Sequence, residues 1–280
     1  TFVACGPIQR TRQSEDTPVR TPETENLLIN LKKVSARGFM FGHHDDTNYG
    51  IGWEGDEGRS DVKSVCGDYP AVISFDLGHI ELGDTMSLDK VPFTKIRKEI
   101  LNQYKRGGMS SLSWHLRNPL TGGDSWDVSD TTVVKSILPG GANHEKFTGW
   151  VSKVSAFINS LQTEEGVKVP VLFRPWHEHT GSWFWWGEKL CTPEEYKALW
   201  HMTVDILRND GVDNALYAYS PGSEPQDTAQ YLKRYPGDEL IDLIGFDTYQ
   251  FERDTYLANL EKSLAIVDSI GKVHNKVIAI

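Results

Sequence analysis

Seven short apolar runs, five of them closing on a polar or aromatic residue, separated by stretches of helical periodicity, constrain this chain more than any other feature. They cover residues 38–42, 71–75, 108–114, 169–174, 215–220, 240–246 and 276–280. Strand-like runs alternating with amphipathic segments specify parallel βα units. Between the third and fourth runs, Phe147, Val151, Val154, Phe157, Ile158 and Leu161 recur at helical spacing and form one apolar face. Thr192, Pro193 and Glu195 spell a capping-box start for a helix whose inner face continues through Tyr196, Leu199, Trp200, Thr203, Ile206 and Leu207. A further helix is expected over 254–269, leading into the last apolar run.

Seven such units suit an α/β chain of the (β/α)8 TIM-barrel class, with the last strand-helix portion missing from the sequence given, better than a doubly wound sheet. In barrels of this kind the working residues stand at the carboxyl ends of the strands, and the polar residues here close the runs. With 280 residues and 39% hydrophobic content, and no Gly/Ser linker, a single domain over 23–280 is expected. Residues 1–22 are polar and poor in large apolar groups, which fits a flexible arm or tether.

A net charge of -10 argues against nucleic acid and against an anionic membrane surface as partners, and leaves a neutral polymer unopposed. No run of apolar residues is long enough to span a bilayer. Cys5, Cys66 and Cys191 allow at most one intramolecular disulfide, and their spacing suggests neither a zinc site nor a disulfide framework. The start, Thr-Phe-Val-Ala-Cys-Gly, reads as the tail of a lipoprotein signal with Cys5 as the lipidated residue, or as what an ordinary secretory signal leaves behind. Export is expected on either reading, to the periplasm, the outer membrane or the medium. A monomer is expected.

The chemistry concentrates in 173–187, Phe-Arg-Pro-Trp-His-Glu-His-Thr-Gly-Ser-Trp-Phe-Trp-Trp-Gly. Glu178 stands between two imidazoles at the end of a buried strand, where desolvation and hydrogen bonding can tune a carboxylic acid toward proton donation. Trp183, Phe184, Trp185 and Trp186 offer flat faces for pyranose rings, with Trp185 or Trp186 equally suited to packing. His115 ends the third run and Trp126 follows it in Gly-Gly-Asp-Ser-Trp-Asp, as a sugar platform or as loop packing. Asp247 and Tyr249 end the sixth run, where the tyrosine hydroxyl can hydrogen-bond the nucleophile and hold it ionised; Asp242 lies earlier on the same run. His43, His44, Asp45 and Asp46 form a ligand-rich group, and His177-Glu178-His179 contains a His-x-His. A metal-dependent hydrolase is therefore the rival enzyme reading, though it leaves the aromatics around Glu178 without a task.

The 173–187 stretch resembles glycoside hydrolase family 26, whose usual activity is endo-β-1,4-mannanase. The resemblance extends to Gly42-His43-His44-Asp45, Ser113-Trp114-His115 and Gly245-Phe246-Asp247-Thr248-Tyr249, in the expected order. It implies Glu178 as the acid/base of a retaining hydrolase acting on mannan, glucomannan or galactomannan, with no cofactor and no metal. It also implies substrate contacts for His44, His115, His177 and Trp183, and an active-site place for Asp242, for which a structural ion pair is the alternative. The family's nucleophile is a glutamate just after the seventh strand, hence beyond Ile280. Glu81, Glu224 and Glu252 follow strands but not in the matching position, and read as solvated loop charges. A non-catalytic carbohydrate-binding protein on the same scaffold is the alternative outside the enzymes.

Overall fold

The central apolar runs become strands because they supply two faces of buried side chains, as in β5 and β7, where every residue is buried. A computed structural model describes residues 20–251 and 253–280. In chain order the elements are α1 (Pro22–Ser35), β1 (Gly42–His44), a hairpin of β2 (Tyr49–Gly50) and β3 (Trp53–Glu54), α2 (Asp61–Cys66), β4 (Val72–Asp76) and a 3₁₀ turn (Ile80–Leu82). Then come α3 (Phe93–Lys105), β5 (Met109–Ser113), α4 (Val133–Ile137), α5 (His144–Asn159), β6 (Val171–Arg174), α6 (Pro193–Asn209), β7 (Ala215–Tyr219), α7 (Thr228–Leu232), β8 (Leu243–Gly245), α8 (Arg253–His274) and β9 (Val277–Ala279). All seven expected strands are present and pair in parallel in the order β1-β4-β5-β6-β7-β8-β9.

The sheet curls around an inner cluster of Met109, Leu172, Leu216, Leu243 and Val277, which Leu31 of α1 covers. Alternate residues, including Phe75, Leu112, Phe173 and Tyr217, pack outward into the core shared with the helices. The parity decides what lines the carboxyl end. Asp76 pairs with Ser113 and Ser113 with Arg174 in register, so these polar side chains share the inner face. α6 starts as its sequence requires: Thr192 accepts from the Glu195 amide while Glu195 accepts from the Thr192 amide.

The first strand begins later than its apolar run. Gly38 remains bound to Val34 at the end of α1, and the hydrogen bonds to β4 start only at the Phe41 carbonyl. At the amino end, Thr21 caps α1 and Arg20 is held by a side-chain partner, so residues 20–22, expected in the arm, are packed with the domain. Cys5 lies outside the described residues; Cys66 and Cys191 are free thiols, one exposed and one buried.

Candidate active site

Glu178 is presented by a turn that the β6 exit forces into an uncommon conformation. Trp176 and Glu178 both adopt left-handed backbone, φ 55° and 53°, which bulky residues rarely do without a compensating constraint. One constraint is the Glu178 amide, which donates to the Ser220 carbonyl at the end of β7 (2.8 Å). Only 8% of Glu178 is exposed, and each carboxylate oxygen has a donor: Trp183 Nε1 on Oε2 and the Tyr249 hydroxyl on Oε1, both at 2.8 Å. Gly181 makes the first contact possible, since a Cβ there would overlap the Trp183 ring. Burial, then the hydrogen bond to Glu178 and its charge, raise the Tyr249 hydroxyl to about 12, so it donates throughout the neutral range.

Beside Glu178 runs a second chain of groups. Asp76 is buried and accepts from Ser113 Oγ (2.6 Å), the Gly78 amide (2.6 Å) and His115 Nδ1 (2.7 Å). Burial alone would raise its carboxyl pKa, but these donors, His115 foremost, hold it well below the usual carboxylate range. With the His115 Nδ1–H donating to the Asp76 carboxylate, His115 Nε2 is left as acceptor for the His177 Nε2–H, 3.0 Å away. Burial and then the Arg174 charge push His177 far below its ordinary value, so it stays neutral. Trp126 stacks on His115 (5.5 Å, 8° between planes), leaving 47% of the indole exposed. Arg174 pairs with Asp247 across the carboxyl end of the sheet (2.7 Å).

Glu178, Trp183, Tyr249, His177, His115, Trp126 and Asp247 therefore gather at one end of the sheet, with Trp183 40% exposed. Asp242 does not join them. It sits at the opposite, amino end of β8, where the Arg20 guanidinium donates to both its oxygens (2.7 and 2.9 Å) and the Tyr217 amide to one (2.9 Å), a structural ion pair. Phe184, Trp185 and Trp186 are all buried, so of the four aromatics only Trp183 presents a face to solvent. The Tyr249 hydroxyl is engaged by the acid/base candidate itself.

Glu81 is no solvated loop charge: it is fully buried and accepts from Trp114 Nε1 (3.0 Å) and the Arg117 amide (2.8 Å). Glu224 is exposed and accepts from Thr180 Oγ1 (2.6 Å), while the side chain of Glu252 lies outside the described residues. His177 and His179 face different surroundings. His179 packs against Tyr196 and Tyr219, and burial and then Arg234 lower its pKa far enough to keep it neutral, so the His-x-His does not converge on one point. The group at the end of β1 also splits: His43 Nδ1 turns to the His44 carbonyl and Asp46 accepts from the Val62 amide, while His44 and Asp45 stay together. Asp76 and Arg174 are site residues that the motifs did not single out. Their signal is positional, a charged residue closing an apolar run on its inward parity.

The match to known families decides where this geometry belongs. The family model of glycosyl hydrolase family 26 matches residues 17–274. The chain belongs to that family. Among solved family 26 structures, a β-mannanase from Bacteroides ovatus is 62% identical with a TM-score of 0.92, over 93% of this chain and 76% of that one. An endo-β-1,4-mannanase from Cellulomonas fimi is 35% identical with a TM-score of 0.86, over 94% and 60%. A mannan endo-1,4-beta-mannosidase from Bifidobacterium adolescentis is 34% identical over 93% of this chain, which spans only 27% of that protein's length.

Proposed function

We propose that the protein is an endo-acting β-1,4-mannanase in which Glu178 is the proton donor and general base. The observation carrying this reading is the Glu178 carboxylate, mostly buried at the carboxyl end of β6, doubly hydrogen-bonded, and bordered by the exposed Trp183 ring. A retaining hydrolase needs a second carboxylate about 5–5.5 Å from the first, on the opposite side of the scissile bond. That group is expected just after β9, the seventh strand of the sheet, beyond Ile280.

In this scheme Glu178 protonates the departing glycosidic oxygen as the nucleophile attacks the anomeric carbon. It then deprotonates the water that releases the sugar. Trp183 and Trp126 offer apolar faces to neighbouring mannose rings, and the His115–His177 pair presents polar edges beside them. The buried Asp76 fixes the tautomer of that pair. None of these steps needs a metal. Export belongs to the same reading, because a polysaccharide is met outside the cell.

The test is the full-length protein on β-mannan, glucomannan and galactomannan. Viscosity should fall faster than reducing ends accumulate, the first product should keep the β configuration by NMR, and EDTA should leave the rate unchanged. Binding without cleavage would favour the carbohydrate-binding alternative, and metal-reversible loss of activity the metallohydrolase.

A further inference from the structure

At the carboxyl end of β1, three potential ligand atoms converge: His44 Nε2, one oxygen of Asp45 and one of Asp89 all lie within 4.8 Å of one another. Asp89 belongs to the loop between the 3₁₀ turn and α3, so the cluster joins two segments distant in sequence. Two strands, β4 and β5, separate β1 from β6 and the Glu178 turn.

The imidazole is already oriented for ligation. His44 Nδ1 is hydrogen-bonded to Ser74 Oγ at 2.8 Å, which leaves Nε2 to face the carboxylates, as in most metal-binding histidines. Asp45 supplies an independent sign. It is 1% exposed; its Oδ1 accepts from Asn48 Nδ2 at 2.7 Å, but its Oδ2 has no hydrogen-bond donor. A buried carboxylate oxygen without a donor is costly, and a cation beside it removes that cost. That same Oδ2 lies 3.2 Å from His44 Nε2, and Asp89 Oδ2 lies 3.9 Å from it. Tetrahedral zinc with bonds of about 2.0–2.1 Å has ligand-to-ligand edges of about 3.3–3.4 Å; the two edges at His44, 3.2 and 3.9 Å, are close to that, and the Asp45–Asp89 edge, within 4.8 Å, closes by a turn of the partly exposed Asp89 side chain. A nitrogen ligand disfavours calcium and magnesium, which take oxygen sets.

We propose that His44, Asp45 and Asp89 form a three-ligand site for a divalent transition ion of the zinc class, with water completing the tetrahedron. The ion clamps the end of β1 to the loop before α3. It would occupy the imidazole for which the family resemblance implies a substrate contact, and the proposal does not depend on the reaction assigned to Glu178.

Full-length protein stripped by chelation and dialysis should bind one Zn2+ per chain by calorimetry, with a rise in Tm. Cobalt(II) should give the visible spectrum of a tetrahedral site. Asp89→Asn, on a partly exposed loop, should weaken zinc binding at least tenfold and abolish the Tm rise while circular dichroism stays unchanged. Asp45→Asn should weaken it likewise. Absence of zinc binding to the folded protein, or binding that both variants leave intact, would overturn the proposal.

Discussion

The Tyr249 hydroxyl donates a 2.8 Å hydrogen bond to Oε1 of Glu178 from 71 positions further along the chain, joining the end of β8 to the turn after β6. With Trp183 on Oε2, it fixes the plane of the carboxyl group and hence the direction in which a proton can be delivered. Tyr249→Phe should lower kcat on mannan about 5- to 10-fold, the worth of one hydrogen bond of about 1–1.5 kcal/mol. Because Tyr249 is 60% exposed, Tm should hardly change. An unchanged kcat would show that the bond does not orient Glu178.

Trp183→Ala removes both a stacking face and a donor to Glu178. Manno-oligosaccharide affinity should fall roughly 5- to 30-fold, from about 1–2 kcal/mol of lost apolar contact and hydrogen bonding. Calorimetric titration with manno-oligosaccharides checks this. Unchanged affinity with a sharp loss of thermal stability would instead make Trp183 a packing residue.

Glu81 should matter for stability. Burial, outweighing its two donors, raises its pKa, and removing its carboxyl group leaves Trp114 Nε1 and the Arg117 amide buried without an acceptor. Glu81→Ala should cost about 2–4 kcal/mol in denaturant unfolding. Glu81→Gln, which keeps an acceptor, should cost distinctly less. Equal losses would mean that the hydrogen bonds are not what Glu81 provides.

Acid should loosen the fold in two separate windows. Burial depresses His177 and His179, so the unfolded chain takes up protons near pH 6.5 that the folded chain refuses. Their contribution is therefore full above about pH 6.5 and is lost as pH falls below it, at up to about 1.4 kcal/mol per pH unit for each histidine. Asp76, also depressed, keeps its contribution down to roughly pH 4 and loses it only below. Unfolding free energies measured from pH 7.5 to 5 should fall, with a shallower slope in His179→Gln. An identical slope in that variant would exclude His179 as a source.

The strands, their order of appearance and the Thr192 cap of α6 were legible in the sequence because they rest on local periodicity and capping chemistry, whereas the Thr21 cap of α1 fell in the stretch read as an arm. The Glu178 motif was equally legible, since its Trp183 partner lies only five residues away. Long-range relations were not. Which end of its strand Asp242 occupies depends on where β8 starts, and the 240–246 run conceals that pairing begins at Leu243. The Asp76–His115 bond spans 39 residues and the Tyr249–Glu178 bond 71, and no periodicity reports which strand ends meet. The burial of Phe184, Trp185 and Trp186 follows from a turn that folds back on the core, which composition alone cannot distinguish from an open platform.

Proton delivery by Glu178 is the central claim, and Glu178→Gln in the full-length protein tests it directly. Steady-state rates on unactivated β-mannan should fall by about 10²–10⁴, while oligosaccharide affinity is retained. An aryl mannobioside with a good leaving group, which needs little protonation, should lose far less in the glycosylation step. Hydrolysis of mannan by Glu178→Gln at close to the wild-type rate would contradict the account and remove Glu178 from the mechanism.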